Sequence, residues 1–388
     1  MSLIQPHGGI LIDRFSDCAL NQERISGMPE LAVDRDILMD LDQIGTGTFS
    51  PLEGFLKRKD YKSVLNDMRL ADGTPWPIPV ILSISDEQKH AVRSEGEIAL
   101  ADGDTGSIYG TIEIEDLYPW DKREYAEKVF GTTDANHPGV RQLGRCGDYL
   151  LGGKITLLQR YDPSDSIYNL TPAQVRSMFE TLEWSRVVGF HTRNVIHRSH
   201  EYIQLEALRR ERCDGLFVQP IIGRKKEGDY TSEMIIESYK LMMDFYPTEK
   251  VVLGLLNTYS RYAGPREAIF TALCRKNFGC SHFIVGRDHT GVGSYYHPLA
   301  SQRIFDRFDD LGIEPVFFGE IGYSETMGRY ASRDEFPEEK LVNISGTEAR
   351  TLLKQQIMPP GWYMRPGISR LIIDRITNGE RVFIEESS

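Results

Sequence analysis

The chain predicts an α/β protein in which a largely β first part precedes a parallel sheet flanked by helices. Three observations carry this expectation. Short strand-like runs separated by turn signals fill residues 1 to about 165. From Leu170 onward, strand-like and helix-like segments alternate, a pattern that requires crossover connections and a parallel sheet. With 388 residues, 40% of them apolar and 26% charged, the chain can fill the cores of roughly two or three domains and is not disordered overall.

In the first part, Ile78–Ile84, Glu97–Leu100, Ser107–Ile114 and Tyr149–Leu158 read as strands, with Asp72-Gly73, Asp102-Gly103 and Gly152-Gly153 among the breakers. Gly147 to Lys154 superficially resembles a Walker A loop, but its glycine spacing is off and Ile155 stands where Ser or Thr is needed, so it reads as strand. Leu170-Thr171-Pro172 opens the first helix of the second part, Thr171 as N-cap and Pro172 at the first helical position. Strand Arg186–Phe190 leads to helix Ile196–Arg212, Gly215–Ile222 to Ser232–Phe245, Val251–Leu256 to Pro265–Phe278, and Phe283–Val285 follows. The tail from about Gly322 is polar and turns helical near Thr347–Gln356 and Gly367–Asn378. No internal repeat or low-complexity segment interrupts this order.

Lys and Arg total 45 against 57 Asp and Glu, a formal charge of −12, and no basic block stands out. A general nucleic-acid or anionic-membrane binder has the opposite balance. No apolar stretch approaches the ~20 residues that cross a bilayer, and Met1 to Ile12 lacks the features of a secretory leader. Five dispersed cysteines (Cys18, Cys146, Cys213, Cys274 and Cys280) suit a reducing cytoplasm. Cys274 and Cys280, at the end of a helix, read as packing residues. The expectation is a soluble cytoplasmic protein with no nucleic-acid or membrane partner.

Six of nine histidines fall between His191 and His297, and the densest clusters sit at strand-to-helix junctions. The first runs Phe190-His191-Thr192-Arg193-Asn194-Val195-Ile196-His197-Arg198-Ser199-His200. A helix N-terminus carries partial positive charge and free N–H groups, so it attracts anions. His197 and His200, three apart, share a face if both are helical, and both could donate to phosphate oxygens. The bland alternatives are an amphipathic helix with two polar histidines, or half of a zinc site that nothing nearby completes. The second cluster runs Ile284-Val285-Gly286-Arg287-Asp288-His289-Thr290-Gly291-Val292-Gly293. Its glycines permit close backbone approach, and Arg287 offers a planar fork for phosphate or sulfate. Alone it could be a glycine turn with a structural Arg–Asp pair. Two such clusters at one sheet edge point to a shared anion site. No Gly-x-Ser-x-Gly elbow or Cys–His pair competes for the chemistry.

Together these clusters resemble the Gln-x-Arg-Asn-x-x-His-x-x-His and Gly-Arg-Asp-His-Ala-Gly motifs of the ATP sulfurylases (sulfate adenylyltransferases). The resemblance extends along nearly the whole chain: Phe49-Ser50-Pro51-Leu52-Glu53-Gly54-Phe55, Asp72-Gly73-x-x-Trp76-Pro77, Tyr262 to Ala268, Ile344 to Arg350 and Pro359 to Pro366 all match family signatures in order. It implies a PUA-like β-rich N-terminal domain over 1–168, a Rossmann-like nucleotidyltransferase domain over 169–322 and a small C-terminal α/β domain over 323–388. It also implies the joining of ATP and sulfate to adenosine 5′-phosphosulfate and pyrophosphate, by in-line attack of a sulfate oxygen on the α-phosphorus. Such a reaction needs positioning and charge stabilisation and no protein nucleophile. By the family pattern His197 and His200 hold the triphosphate, Asn194 contacts the nucleotide phosphates, and Arg193 and Arg287 grip sulfate. Gly286, Asp288 and His289 line the nucleotide pocket, Thr192 belongs to the substrate-binding residues, and His191 and Thr290 touch the sulfate pocket. Mg2+ is expected with ATP, and a homo-oligomer is expected because the family commonly forms one.

Three departures qualify the resemblance. His191 stands where the family has Gln, and Thr290 where it has Ala, so a different oxyanion acceptor is an alternative. A non-catalytic scaffold is a further one, opposed by the retained Arg193, Asn194, His197, His200, Arg287, Asp288 and His289. The Cys/His zinc site of some members is missing, since no cysteine follows Cys280 and no histidine follows His297, so no structural zinc is expected. No adenylylsulfate kinase segment is recognisable. Finally, an imidazole at 191 can change charge near neutral pH, so oxyanion affinity is expected to weaken as pH rises through its pKa.

Overall fold

The computed structural model describes residues 2–16, 25–92, 96–162, 164, 166–287, 289 and 291–385. Asp288 and Thr290, both expected at the site, lie outside the described residues, as does Cys18. The first part is a seven-stranded sheet of β1 (Glu30–Val33), β2 (Gly54–Phe55), β3 (Leu82–Ile84), β4 (Glu97–Asp102), β5 (Ile108–Glu113), β6 (Asp116–Pro119) and β7 (Tyr149–Leu157). Its order is β1-β4-β5-β7-β2, with β3 and β6 also on β7. Only β1 and β4 run parallel. β7 can carry four partners because Gly153 lets Glu113 approach: a Cβ there would lie 1.8 Å from that carbonyl oxygen. The strand expected over Ile78–Ile84 begins only at Leu82, because Pro77 and Pro79 donate nothing to a ladder. Helix α1 (Arg35–Gly45), capped by Asp34, buries Leu38, Leu41 and Ile44 against this sheet's core.

The second sheet is wholly parallel: β8 (Val187–Thr192), β9 (Gly215–Pro220), β10 (Val251–Leu253), β11 (His282–Val285) and β12 (Glu314–Phe317). The order is β10-β9-β8-β11-β12, so the winding direction reverses between β8 and β11. Strand alternation sends Val187, Phe217 and Phe283 to one face, where α2 (Pro172–Thr181) and α5 (Pro265–Asn277) join them to the core of the first part. Val188, Phe190, Leu216, Val218 and Ile284 go to the other face, under α3 (Arg198–Arg210), α4 (Ser232–Met242), α6 (Gly346–Lys354) and α7 (Pro366–Thr377). Gly189 is what lets α5 pack so closely: a Cβ there would sit 3.0 Å from Arg275 Cγ and 3.1 Å from Cys280 Sγ. Cys274 and Cys280 are buried in that layer, as expected. Thr171 and Gln174 form the capping box of α2.

Two readings change. Helix α3 begins at Arg198, not Ile196, because His197 is extended (φ −132°, ψ 168°) and Val195 and Ile196 are buried ahead of the first turn. The stretch read as a polar tail contains an antiparallel sheet of β13 (Ile321–Ser324), β14 (Arg329–Ser332) and β15 (Leu341–Val342), in the order β14-β13-β15. These strands are two to four residues long, too short for a periodicity signal. No helix among the described residues is long and apolar enough to cross a membrane.

Candidate active site

A cavity of about 1020 Å³ opens where the sheet reverses, beyond the carboxyl ends of β8 and β11. Open α/β sheets present ligand crevices at this point, because the flanking loops leave in opposite directions. His282 and Phe283 of β11 lie in register with Val188 and Gly189 of β8, so the loops starting near His191 and Gly286 emerge side by side. His191, Thr192, Arg193, Asn194 and His200 line the cavity from one side, Gly286, Arg287 and His289 from the other. The fold thus brings together the two expected clusters. His197 is the exception. It lines an adjoining cavity of about 280 Å³ with Asn194, Arg350 and Tyr363.

That displacement follows from the helix start. As the extended residue before α3, His197 does not share a helical face with His200; instead the two rings stack, centroids 3.6 Å apart. Tyr363 stacks on the far side of His197 at 5.2 Å, and the Ser199 hydroxyl lies 2.8 Å from His197 Nδ1. The start of α3 is also held by distant chain: Arg198 N–H donates to the Tyr363 carbonyl, and Arg365 forks onto Glu201 at 2.9 and 2.6 Å. The side chain of Asn194 faces the cavity while its N–H donates to Thr192 Oγ1.

The second loop is held more loosely. Arg287 is half exposed and 3.8 Å from Glu320, which Arg333 approaches at 3.7 Å. The His289 ring lies edge-on to Phe283 and 5.9 Å from the ring of His191, and its carbonyl accepts from Ser301 at 2.6 Å. Glu267, another cavity residue, accepts from the N–H groups of Arg261 and Ala263 and thereby fixes Tyr262 in the left-handed region (φ 58°).

The imidazoles of His191, His197, His200 and His289 are pushed toward neutrality. Burial takes His197 down to about 4, and burial with Arg275 behind it takes His289 to about 4. Burial, then the neighbouring His197, lowers His200 well below the usual histidine range. His191 is lowered well below that range by burial, then by Arg275, His289, Arg193 and Lys225. In the protein without its anion, the His191 ring is therefore held neutral near pH 7. A neutral ring keeps one N–H donor and one acceptor nitrogen, fewer of each than a glutamine amide offers. Sequence reasoning missed Tyr363, Arg365 and Glu267 as supports, and missed Arg275, a fully buried guanidinium donating to the carbonyl of Gln219 at 3.1 Å. Its only sequence signal is a charged residue directly after the largely apolar run Ala268–Cys274.

Carboxylates for a protein-held cation are scarce. Glu267 is occupied by backbone donors and Glu320 by arginines, and among the described residues no group of three His, Cys, Asp or Glu could hold a metal ion.

Comparison with known proteins brings the following likenesses. A family model described as ATP-sulfurylase matches residues 166–375, and one described as a PUA-like domain matches residues 4–160. A sulfate adenylyltransferase of Halothermothrix orenii is 43% identical over 381 residues, 96% of this chain and 99% of its own. That of Staphylothermus marinus is 45% identical, with 95% and 97% covered, and that of Pyrococcus abyssi 42%, with 95% and 97% covered. A solved structure titled hexameric APS kinase from Thiobacillus denitrificans superposes with a TM-score of 0.78 over 96% of this chain and 69% of that one. At 23% identity that likeness speaks for the fold alone.

Proposed function

The chain belongs to the ATP-sulfurylase family and is a sulfate adenylyltransferase, and from that premise we propose how its residues divide the work. The enzyme is a nucleotidyltransferase that joins ATP and sulfate to adenosine 5′-phosphosulfate and pyrophosphate. An acceptor other than sulfate finds no support in these relatives, and that expectation is withdrawn. A neutral His191 can still donate one hydrogen bond to the anion.

In this reading Arg193 and Arg287 face each other across the crevice and grip sulfate, with His191 and Thr192 at its inner edge. His200, in the first turn of α3, donates to the phosphate oxygens on which charge grows as the α-phosphorus is attacked. The helix N-terminus adds its partial positive charge there. His197 holds the His200 ring in place, so the expected direct grip on the triphosphate narrows to His200. Asn194 contacts the nucleotide phosphates, and Gly286 and His289 border the nucleotide. A proton need not move in the displacement, which suits imidazoles that stay neutral.

Mg2+ fits this site as a companion of ATP, since the cavity's carboxylates are engaged elsewhere. Arriving with ATP, it would help neutralise charge on the leaving pyrophosphate. We further propose a cytoplasmic homo-oligomer and a division into 1–168, 169–322 and 323–388; the gap between the first two sheets supports the first break, whereas the second falls inside β13. The observation that carries the functional reading is the convergence of both basic loops on the switch point of the parallel sheet. It is tested by pyrophosphate release from MgATP with sulfate. Turnover that depends on sulfate, vanishes in Arg193→Ala and needs about tenfold more sulfate in Arg287→Ala is expected; unaltered turnover and sulfate dependence in both variants would remove these arginines from the site.

A further inference from the structure

A second, smaller cleft of about 160 Å³ lies beside the active-site cavity and shares Ser260 and Tyr262 with it. Its walls come from both parts of the chain. Arg141 and Arg145 project from the short helix Pro138–Leu143 and the residues after it; Arg224, Lys225 and Lys226 come from the loop after β9. Five cations around one cleft are conspicuous in a chain of net charge −12. Only Arg224 is neutralised, by Asp36 at 2.6 Å; Arg141, Arg145, Lys225 and Lys226 make no ion pair among the described residues. Lys225 is the inner member: its ammonium donates to the Ile221 carbonyl at 2.8 Å, at the end of β9 next to Thr192. Burial, partly offset by Asp229 and Glu233 and reinforced by Arg193, brings it down to about 8.

We propose that this cleft is a pyrophosphate subsite, through which the leaving group of the adenylyl transfer departs. The proposal rests on the adenylyltransferase reading, because that reaction makes a highly charged inorganic product beside Arg193. The cleft is smaller than the ~300 Å³ at the lower end of pockets for organic ligands, so it suits an inorganic diphosphate and excludes the nucleoside. Cations with no carboxylate partner form charge-assisted hydrogen bonds with phosphate oxygens at little cost in broken contacts. Lys225 would take up the product first, and Arg141 and Arg145 would draw it outward.

The test is the reverse reaction, formation of ATP from adenosine 5′-phosphosulfate and inorganic pyrophosphate, with the full chain. Arg141 and Arg145 are exposed, so Arg141→Ala/Arg145→Ala is expected to fold. It should raise the KM for pyrophosphate about tenfold while moving the KM for adenosine 5′-phosphosulfate far less. Lys225→Met, which keeps the apolar stem and removes the ammonium, should give a further rise. An unchanged pyrophosphate KM, or parallel rises in both KM values, would overturn the proposal. If the native chain makes no ATP, the adenylyltransferase reading fails. Calorimetric titration with inorganic pyrophosphate then still decides the cleft: equal binding by the native chain and the double variant would rule it out.

Discussion

The loop after β8 and the loop after β11 carry similar side chains and are held in opposite ways. The first is pinned: His200 is stacked on His197, His197 on Tyr363, and the helix start is fixed by Arg365 on Glu201. The second offers Arg287 half exposed, with Glu320 only at 3.8 Å. A donor locked in place stabilises charge where it develops, without reorganising, so its effect belongs to the transition state. A loosely paired, solvated cation attracts an anion before and during reaction alike, so its effect belongs to binding. One edge of the crevice is built for catalysis, the other for capture.

The largest expected effect tests the pinned edge. His200→Ala should lower kcat by ~10²-fold or more with little change in KM for ATP; normal kcat with a raised KM would make His200 a binding residue and erase the contrast. Arg287→Ala should act the other way, raising KM for sulfate about tenfold, the scale of one charge-assisted contact. A loss of kcat alone in steady-state assays would place Arg287 with the pinned group. Smaller still, Tyr363→Ala should lower kcat several-fold while Tyr363→Phe keeps it, since only the ring is needed to brace His197. Equal rates in both would show that the stack is incidental.

The smallest effect concerns pH. His191 in the folded protein has its pKa lowered, so it is neutral above the usual histidine value and charges only on acidification below it. Between about pH 6 and 9, native protein and His191→Gln should therefore give parallel profiles of KM for sulfate. A rise in the native KM across that range, absent in the glutamine variant, would show that a charged His191 binds the anion.

Much of this was legible in the sequence because it is local. The turn from period-2 runs to longer helical stretches after Leu170, the Thr171-Pro172 helix start, and both basic loops at strand ends need only neighbouring residues. What stayed hidden is long-range. Tyr363 meets His197 across more than 160 positions, and nothing near either residue announces it. The same holds for Arg365 with Glu201. The helical placement of His197 failed for a related reason: burial of Val195 and Ile196 delays the helix, a tertiary effect that overrides spacing. The neutrality of His191 was missed because its burial, and then the approach of Arg275 from α5, cannot be read from its neighbours in sequence.

The fork of Arg365 on Glu201, with the Tyr363 carbonyl accepting from Arg198, has a consequence for the order in which the molecule is made. Chains fold from the N-terminus as they emerge from the ribosome. Here the parallel sheet, its crossover helices and every residue of both basic loops are synthesised before residue 320. The props that hold the α3 start arrive only with residues 363–365. A nascent chain can thus assemble its scaffold while its catalytic edge is still unbraced, and a product truncated before Tyr363 should be compact yet almost inert.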